Sequence, residues 1–336
     1  MSEERIKLGH GSGGVLTRRL IQDTLLRFFD SPRLAELPDS ATVQIADRRV
    51  AFTTDSYVVD PIFFPGGDIG ELAVFGTVND LAVVGAVPRF ISCALILEEG
   101  LPTGDLERVL RSMREAAAAV GVEIVTGDTK VLPRGKADRI FINTAGLGLV
   151  PEGLRPPGGE ARPGDAIVVS GPVGDHGGAV LAEREGLALE ASVESDCAPL
   201  TDLAQAVLRT ADRTSFMRDL TRGGLATVLN ELAKDDGAGV LLEEELTPVR
   251  EEVRSICELL GLDPLYLACE GRLAAVVDAD SEDDVVGAMR ALPDGEESRC
   301  IGRISEEYAG KVALQTPLGT HRLLQMLSGE QLPRIC

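Results

Sequence analysis

The alternation of apolar and polar residues along the first half of the chain predicts strands interleaved with amphipathic helices. Apolar residues recur at steps of three and four after residue 14, from 71 to 84 and after Thr103, and each series is typical of a helix. Runs rich in β-branched residues predict a hairpin at 43–54 and strands at 90–97, 122–125 and 140–150. The mixture predicts an α/β (α+β) fold, with mixed sheets and helices packed on them.

A segment rich in proline and glycine, 151–163, separates this half from a second series of elements. The pattern there predicts strands at 166–170, 300–304, 312–316 and 320–323, and helices after Gly174, at 225–234, from Thr247-Pro248 to 260 and after Ser281. It ends near Leu324. We therefore predict an N-terminal domain at 1–155, a C-terminal domain at 156–323 and a flexible tail at 324–336.

Composition and charge exclude several classes of protein. Of the 336 residues, 44% are hydrophobic, which is enough for a full core, and the net charge is −21. A chain this acidic is unsuited to nucleic acid or to anionic membranes. No run approaches the roughly 20 apolar residues of a membrane span, and the acidic start at 1–4 differs from a secretory signal. Six cysteines without a CxxC pair favour a reduced, cytoplasmic protein over a zinc knuckle.

Two glycine segments stand directly before predicted helices. The first is His10-Gly11-Ser12-Gly13-Gly14, and the second is Thr221-Arg222-Gly223-Gly224. Backbone N–H groups at such a helix start can bind an anion. The first segment is not a P-loop because the Gly-Lys-Ser/Thr ending is missing. A flexible cap is the alternative there, and His10 is either a nucleotide contact or a polar loop residue.

Carboxylates stand at positions where they need an explanation. Asp55 follows a strand, Asp68 lies in a glycine loop, and Asp80 interrupts an apolar helix, where aspartate is unfavourable. Their oxygens suit Mg²⁺ bound to phosphate, and the alternative is three separate capping or solvated side chains. Asp128 and Lys130 follow a buried strand and a glycine, a pattern that predicts a corner binding phosphate and metal.

Glu270 and Cys336 are the remaining candidates for chemistry. Glu270 lies within the apolar stretch 267–273, which is costly unless the carboxylate is paired or used. Cys336 ends the chain, so its thiol stands beside a carboxylate that should raise its pKa above the usual value of about 8.5. A free chain end can carry a thiol between sites. A stray terminal cysteine is the alternative.

Assembled, these motifs resemble the HypE family of hydrogenase maturation factors. That family belongs to the ATP-using superfamily of aminoimidazole ribonucleotide synthetase and selenophosphate synthetase. The resemblance covers nearly all of the chain, and the matching segments are 10–14, 53–56, 65–70, 78–81, 127–130 and 221–224. The ending 333–336, Pro-Arg-Ile-Cys, distinguishes this family from its relatives. Leu220 departs from the usual proline, and Cys269-Glu270-Gly271-Arg272 stands where Asn-Glu-Gly-Lys is typical.

The resemblance implies a two-domain PurM-like fold in which N-terminal sheets pair in the barrel of a homodimer. It implies that ATP and Mg²⁺ bind in the N-terminal domain. The implied metal ligands are Asp55, Asp80 and Asp128. The implied nucleotide-binding residues are His10, Gly11, Ser12, Gly13, Gly14, Thr54, Asp68, Ile69, Asn79, Thr129, Arg222, Gly223 and Gly224.

The implied reaction takes place on Cys336. A partner, HypF, loads a carbamoyl group onto the thiol, ATP phosphorylates the amide oxygen, and loss of phosphate leaves a thiocyanate. The cyanide then passes to iron on a HypC–HypD complex. Glu270 is the first choice for the base that removes the nitrogen protons, and Lys130 is the second. A phosphate clamp is the alternative role for Lys130, and a domain-bridging ion pair is the alternative for Glu270.

Two other functions fit part of the sequence. One is a different kinase of the superfamily, such as selenophosphate synthetase or thiamine-phosphate kinase. The absence of a cysteine near the first glycine segment argues against selenophosphate synthetase. The other is a non-enzymatic sulfur or metal carrier that uses the terminal thiol, which would leave the ATP-type segments unexplained.

Overall fold

A five-stranded sheet is the centre of the N-terminal half in the computed structural model, which describes residues 6–11, 14–29, 34, 37–187, 192–327 and 334–336. Ser12, Gly13 and Pro333 therefore lie outside the described residues. The helices are α1 Val15–Leu20, α2 Leu26–Phe29, α3 Ile69–Val83 and α4 Thr103–Ala119, with a π-helical turn Ile21–Leu25 between the first two and a 3-10 turn Leu8–Gly11 before them. The strands are β1 Ala41–Ile45, β2 Arg48–Tyr57, β3 Phe63–Phe64, β4 Gly67–Asp68, β5 Val87–Glu98, β6 Glu123–Leu132 and β7 Ile140–Leu149.

The second half is built on a seven-stranded sheet. Its strands are β8 Ala166–Val169, β9 Thr214–Asp219, β10 Gly239–Glu243, β11 Leu273–Val277, β12 Arg299–Ser305, β13 Val312–Gln315 and β14 His321–Leu324. Its helices are α5 Asp175–Glu185, α6 Thr201–Thr210, α7 Gly224–Asp236, α8 Glu251–Leu260 and α9 Glu282–Arg290, with 3-10 turns Pro264–Tyr266 and Ala279–Ser281. The strand order is β14-β13-β10-β12-β8-β11-β9.

Both sheets are mixed, which confirms the predicted α/β class. The first has the order β1-β2-β7-β5-β6, and β5 and β6 are its parallel pair. In the second, β10 and β13 are parallel and the other pairs are antiparallel. Helices α3 and α4 cover one face of the first sheet, where Leu72 and Met113 pack against Ile91 and Ile142.

Helix α3 joins the two halves. Nearly every side chain on it is buried, because it contacts β2 and β7 of the first sheet as well as α6 and β9 of the second half. A helix that is apolar on all sides belongs in a core, and a polar residue on it must meet a partner. Asp80, near its C-terminal end, is therefore held between the two sheets.

Two local predictions were wrong. Gly127–Lys130 were expected at the tip of a strand, but β6 continues through them to Leu132 because their main chain pairs with β5. The expected cap at Thr247-Pro248 is absent, since α8 begins only at Glu251 and the Thr247 hydroxyl donates to the Glu243 carbonyl at 2.8 Å. The expected strands and helices in the rest of the chain are observed, whereas α6, β9, β10 and β11 were not predicted.

The second face of the first sheet is uncovered by any helix among the described residues. It exposes Phe52, Phe90 and Ile96. The edge strand β6 is exposed from Glu123 to Val131, and its exposed large apolar residues are Ile124, Val125 and Val131. An apolar surface of this extent on a sheet is typical of an interaction site.

Candidate active site

Three carboxylates from separate parts of the chain meet between the two sheets. Asp39 precedes β1, Asp80 lies on α3 and Asp219 ends β9. One carboxylate oxygen from each lies within 4.8 Å of the others. We call these residues the acidic cluster. Both halves of the chain build it, because α3 carries Asp80 to the end of β9.

Burial and mutual repulsion perturb the acidic cluster. Burial, and then the neighbouring Asp39, raises the pKa of Asp219 to about 8. The pKa of Asp80 is also well above its ordinary value, through burial and then through Asp219 and Asp39. The Arg218 guanidinium, 3.0 Å from Asp39, offsets part of the charge.

The donor set of the acidic cluster fits Mg²⁺. Hard carboxylate oxygens at this spacing are the ligands that Mg²⁺ takes in phosphate-transfer sites. A divalent cation would also relieve the repulsion that raises the pKa values of Asp80 and Asp219. The Thr53 hydroxyl donates to Asp80 Oδ2 at 2.7 Å and fixes that carboxylate in place.

The predicted metal set of Asp55, Asp80 and Asp128 requires a correction. Asp55 is near enough to raise the pKa values of Asp80 and Asp219. Asp128, however, lies on β6, and its register partner Ala94 is on β5, so β5 and β7 separate it from β2. Three strand spacings amount to about 14 Å, too far for one ion to bridge within one chain.

Asp128 and Lys130 form an exposed pair. Their side chains are 2.7 Å apart, and both are largely accessible. The hydrogen bond from Lys130 is the main reason that the pKa of Asp128 is lowered. Thr129 lies between them on the same edge strand. The structure therefore does not bring these three predicted residues to the acidic cluster of their own chain.

The second glycine segment forms a helix start without a side-chain cap next to the acidic cluster. Gly223 and Gly224 have φ values of +80° and +59°, and a Cβ at Gly224 would lie 2.4 Å from the Leu267 carbonyl oxygen. The Gly224 N–H donates to the Thr221 carbonyl at 2.9 Å, so the N–H groups that follow it in the first turn of α7 are the candidates to bind an anion. Arg222 Nη1 donates to the Gly11 carbonyl at 3.2 Å, which joins the two glycine segments.

The rest of the first glycine segment makes local contacts. His10 Nδ1 accepts from the Lys7 N–H at 2.9 Å. Gly14 precedes α1, and its position requires glycine because a Cβ there would lie 2.4 Å from the Leu327 carbonyl oxygen. This segment therefore packs against the part of the chain that leads into the C-terminal tail.

Three other predicted nucleotide-binding residues have structural partners. Asp68 caps α3 by accepting from the Gly70 N–H at 2.7 Å. Ile69 is fully buried in the core. The Thr54 hydroxyl lies on the open face of the first sheet and donates to the Thr144 carbonyl at 2.9 Å. None of these side chains is placed in the acidic cluster.

Asn79 connects the two halves. Its amide nitrogen donates to the carbonyls of Ala198 and Glu270 at 3.0 and 3.1 Å, and its oxygen accepts from the Leu200 N–H at 2.8 Å. Both amide hydrogens are thus used within the protein. Asn79, predicted as a nucleotide contact, instead positions the peptide of Glu270.

Glu270 is buried with an unused oxygen. Its side chain is 3% exposed, and Oε1 has no hydrogen-bond partner among the described residues. Burial, then Asp219 and Asp55, raises its pKa well above the ordinary value, and Arg222 lowers it. The carboxylate forms no ion pair within the described chain, so the domain-bridging alternative is not observed. An unpaired buried carboxyl group is typical of a functional site.

The last three residues dock along the chain that follows β2. The Val58 N–H donates to the main-chain oxygen of Cys336 at 3.1 Å, and the Asp60 N–H donates to that of Arg334 at 3.2 Å. Arg334 adopts a left-handed φ of +55°, and Ile335 is only 4% exposed in the N-terminal core. The final residues therefore pair with the protein like an added strand.

This docking places the Cys336 thiol among the candidate residues. Burial is the main cause of its strongly raised pKa; Glu270 and Asp55 raise it further, whereas Arg222 lowers it. The reciprocal effect is seen at Arg222, whose pKa is raised first by Cys336. The expected rise is therefore observed, but burial outweighs any neighbouring carboxylate as its cause.

Sequence reasoning missed four residues of this region. Asp219 directly precedes the segment 220–224, so its position was a usable signal. Asp39 carried none. His176 contacts the docked tail, and the sequence around it indicated only a helix start. Asp196 accepts from the Glu270 N–H, and no element was predicted around it.

The departures from the family pattern have structural partners. Leu220 is fully buried in the core of the second half. The Cys269 sulfur accepts from the Gly174 N–H at 3.1 Å. Arg272 Nε lies 3.5 Å from Asp196 Oδ2, so this arginine supports the residue that binds the Glu270 peptide.

No helix in the described part of the chain has the length and apolar character needed to cross a membrane.

Two protein-family models match the chain. The N-terminal domain of AIR synthase related proteins matches residues 38–150, and the C-terminal domain matches residues 162–315.

The chain is similar over its full length to carbamoyl dehydratases. It is 48% identical over 338 residues to the carbamoyl dehydratase HypE of Rhodobacter capsulatus, covering 100% of this chain and 99% of the relative. A solved HypE–HypF complex contains a similar chain, with 41% identity, a TM-score of 0.86 and coverage of 92% of this chain and 99% of that one. HypE in complex with ATP is 49% identical, with a TM-score of 0.82 and coverage of 99% and 100%.

Proposed function

The chain belongs to the AIR synthase related family and, within it, to the HypE carbamoyl dehydratases, and we propose that it dehydrates a carbamoyl group carried on its own Cys336. It is an ATP-using enzyme of hydrogenase maturation. The observation that carries the proposal is the docked tail, which brings the thiol into the electrostatic environment of Glu270, Asp55 and Arg222. This arrangement offers a base and a cation at the sulfur that would bear the substrate.

Loading and unloading involve other proteins. A HypE–HypF complex has been solved, and we infer that HypF carbamoylates Cys336 here as well. The docked thiol is partly buried, so the tail must leave the cleft to meet that partner. The cyano group then passes to iron on a HypC–HypD complex, which requires a second departure.

The reaction needs ATP because the oxygen of a thiocarboxamide, S–C(=O)–NH₂, is a poor leaving group. Transfer of a phosphoryl group to that oxygen makes phosphate the leaving group. The C–O bond breaks, the C≡N bond is completed, and both nitrogen protons are lost. The products are a thiocyanate, ADP, phosphate and one net proton, so the oxygen of the lost water leaves in the phosphate.

We propose that the start of α7, which no side chain caps, binds the phosphates of ATP with Arg222, Gly223 and Gly224. Gly11 belongs to the same site through its hydrogen bond with Arg222. Mg²⁺ held by the acidic cluster would neutralise charge on the transferring phosphoryl group.

We propose Glu270 as the base that removes the nitrogen protons. Its Oε1 has no partner to release, and its raised pKa makes the ionised carboxylate a stronger base than an ordinary glutamate. Lys130, the second choice, lies on the exposed edge strand and pairs with Asp128. It is therefore not the base for the thiol of its own chain.

We also propose that the open face of the first sheet forms a homodimer. Exposed apolar residues such as Phe90 and Val131 lie on this face or on the edge strand β6. Asp128, Thr129 and Lys130 lie on β6 too, at the proposed interface. A charged substitution there, Val131→Arg, should yield monomers in analytical ultracentrifugation, and an unchanged sedimentation coefficient would place the interface elsewhere.

Intact-mass spectrometry tests the dehydration directly. The protein incubated with HypF, carbamoyl phosphate and ATP should first gain a carbamoyl group and then lose one water. The variant Cys336→Ala should gain nothing. A loaded wild-type protein that never loses water in the presence of ATP would contradict the proposed function.

A further inference from the structure

His176, in the first turn of α5, lies between the C-terminal peptide and the segment 192–198. Its Nε2 is 2.8 Å from the Ile335 main-chain oxygen, and its Nδ1 is 2.8 Å from Ser195 Oγ. A carbonyl oxygen only accepts, so Nε2 carries the hydrogen and Nδ1 accepts from the Ser195 hydroxyl. The ring is fully buried, and burial lowers its pKa to about 4, which keeps it neutral.

The docked tail is held from both sides. Val58 and Asp60 donate to the main-chain oxygens of Cys336 and Arg334 on one edge. Successive carbonyls of an extended chain point to opposite edges, so the Ile335 oxygen faces away from them. His176 is the donor that meets it there. The peptide immediately before the reactive residue is therefore fixed by this imidazole.

Ser195 and Asp196 connect His176 with Glu270. The Asp196 carboxylate accepts from the main-chain N–H of Glu270 at 3.0 Å, and the residue before it, Ser195, binds the His176 ring at 2.8 Å. Arg272 Nε, 3.5 Å away, balances the buried charge. The dipeptide Ser195-Asp196 thus contacts both the ring that holds the tail and the backbone of the proposed base.

We propose that His176 is a positioning residue for the dehydration: it holds the Ile335 peptide so that the group on Cys336 is presented to Glu270, and the dipeptide Ser195-Asp196 holds the His176 ring and the Glu270 backbone in place. The proposal rests on the proposed function and concerns only the docked state. Loading by HypF takes place with the tail outside the cleft, so it does not involve His176. Carbamoyl loading can therefore serve as the control measurement for dehydration.

The test compares loading with single-turnover dehydration. His176→Phe keeps the edge-to-face contact with Phe64 but removes both ring nitrogens. We expect carbamoyl loading and MgATP affinity to equal those of the wild type, and dehydration to be about tenfold slower or more, as a lost hydrogen bond implies. His176→Gln should recover part of the rate, because its amide N–H can donate to the same oxygen.

Ser195→Ala provides an independent variant. It releases Nδ1 and should slow dehydration less than His176→Phe does. Ser298→Ala is its matched control, since that hydroxyl donates to the carbonyls of Ser170 and Gly295 instead. If His176→Phe does not fold, the dehydration rates of the two serine variants are compared instead. A slower rate in Ser195→Ala than in Ser298→Ala would then support the proposal.

Two results overturn the proposal. In the first, His176→Phe dehydrates the carbamoyl group at the wild-type rate. If His176→Phe does not fold, the same result in Ser195→Ala overturns the proposal. In the second, the loss of rate follows a loss of MgATP affinity, which assigns His176 a structural role. A wild-type protein that retains its thiocarboxamide in the presence of ATP contradicts the proposed function itself and is recognised in the same mass spectra.

Discussion

The side-chain amide of Asn79 donates to the main-chain oxygen of Glu270 at 3.1 Å, so a helix of one half of the chain holds the proposed base in the other half. The same amide binds the carbonyl of Ala198 and the N–H of Leu200. These contacts make Asn79 part of the structure between the halves, and the position of Glu270 depends on them.

We expect Asn79→Ala to destabilise the protein by about 2–4 kcal/mol, because it leaves several buried backbone groups without partners. Chemical denaturation measures this. A control is Gln44→Ala, whose exposed amide donates to the Ala46 carbonyl at 2.9 Å in the hairpin turn and should leave stability nearly unchanged. If Asn79 served only the nucleotide, stability without ATP would equal that of the wild type, and this interpretation would be wrong.

Glu270→Gln should leave stability unchanged or increase it, because it removes a buried ionisable group whose Oε1 has no hydrogen-bond partner among the described residues. The loaded variant should retain its thiocarboxamide in the presence of MgATP. Mass spectrometry separates the two adducts, which differ by one water. Conversion at the wild-type rate would exclude Glu270 as the base.

The acidic cluster should make stability depend on pH and Mg²⁺. Asp219 has a folded-state pKa of about 8, above its unfolded value of about 3.9, so the folded protein binds the proton more tightly. The associated stability is present at low pH and is lost as pH rises from about 4 to about 8. Mg²⁺ requires the ionised form, so its stabilising effect should grow over the same range.

Melting temperatures with and without Mg²⁺ at about pH 5 and about pH 9 test this. In Asp219→Asn the Mg²⁺ effect should be small at both values. Asp47→Asn, in the exposed hairpin turn, is the control and should behave as the wild type. An equal Mg²⁺ effect in wild type and Asp219→Asn would remove Asp219 from the metal site.

Docking of the tail should depend on Ile335. This side chain is 4% exposed in the N-terminal core, and replacing it with serine should weaken docking by about 2 kcal/mol. Alkylation of Cys336 should then become roughly thirtyfold faster. Leu323→Ser, at a half-exposed position of β14, should leave the rate unchanged. We also expect bound MgATP to favour the docked tail through contacts made only in the docked state, and therefore to slow alkylation of the wild-type thiol. Equal rates with and without MgATP would contradict this effect of the nucleotide on docking.

Much of the fold was predictable because each element carries a local pattern. The apolar series on α3 predicted the helix, and Asp80 within it correctly pointed to a polar site. Strand β6 was predicted too short because its apolar run ends at Val125. Its continuation through Asp128 is stabilised by main-chain pairing with β5, which leaves no trace in side-chain type.

The full site could not be predicted for the same physical reason. Asp39 and Asp219 are distant in sequence and meet Asp80 only through packing across α3. The tail at 324–336 was predicted to be flexible, with no docking site specified. Its main-chain hydrogen bonds to Val58 and Asp60 are independent of sequence, so no periodicity indicates them.

The attachment of the reacting sulfur to the enzyme itself determines its kinetics. A group on Cys336 reaches Glu270 by folding back of its own chain, so its effective concentration is set by the tether and is unaffected by dilution. The dehydration step should therefore be first order in loaded protein and show saturation only with ATP. A soluble thiocarboxamide would need a concentration as high as this effective concentration to compete. Because one sulfur atom carries the reacting group, each turnover can begin only after the cyano group has left Cys336 and a new carbamoyl group has been loaded.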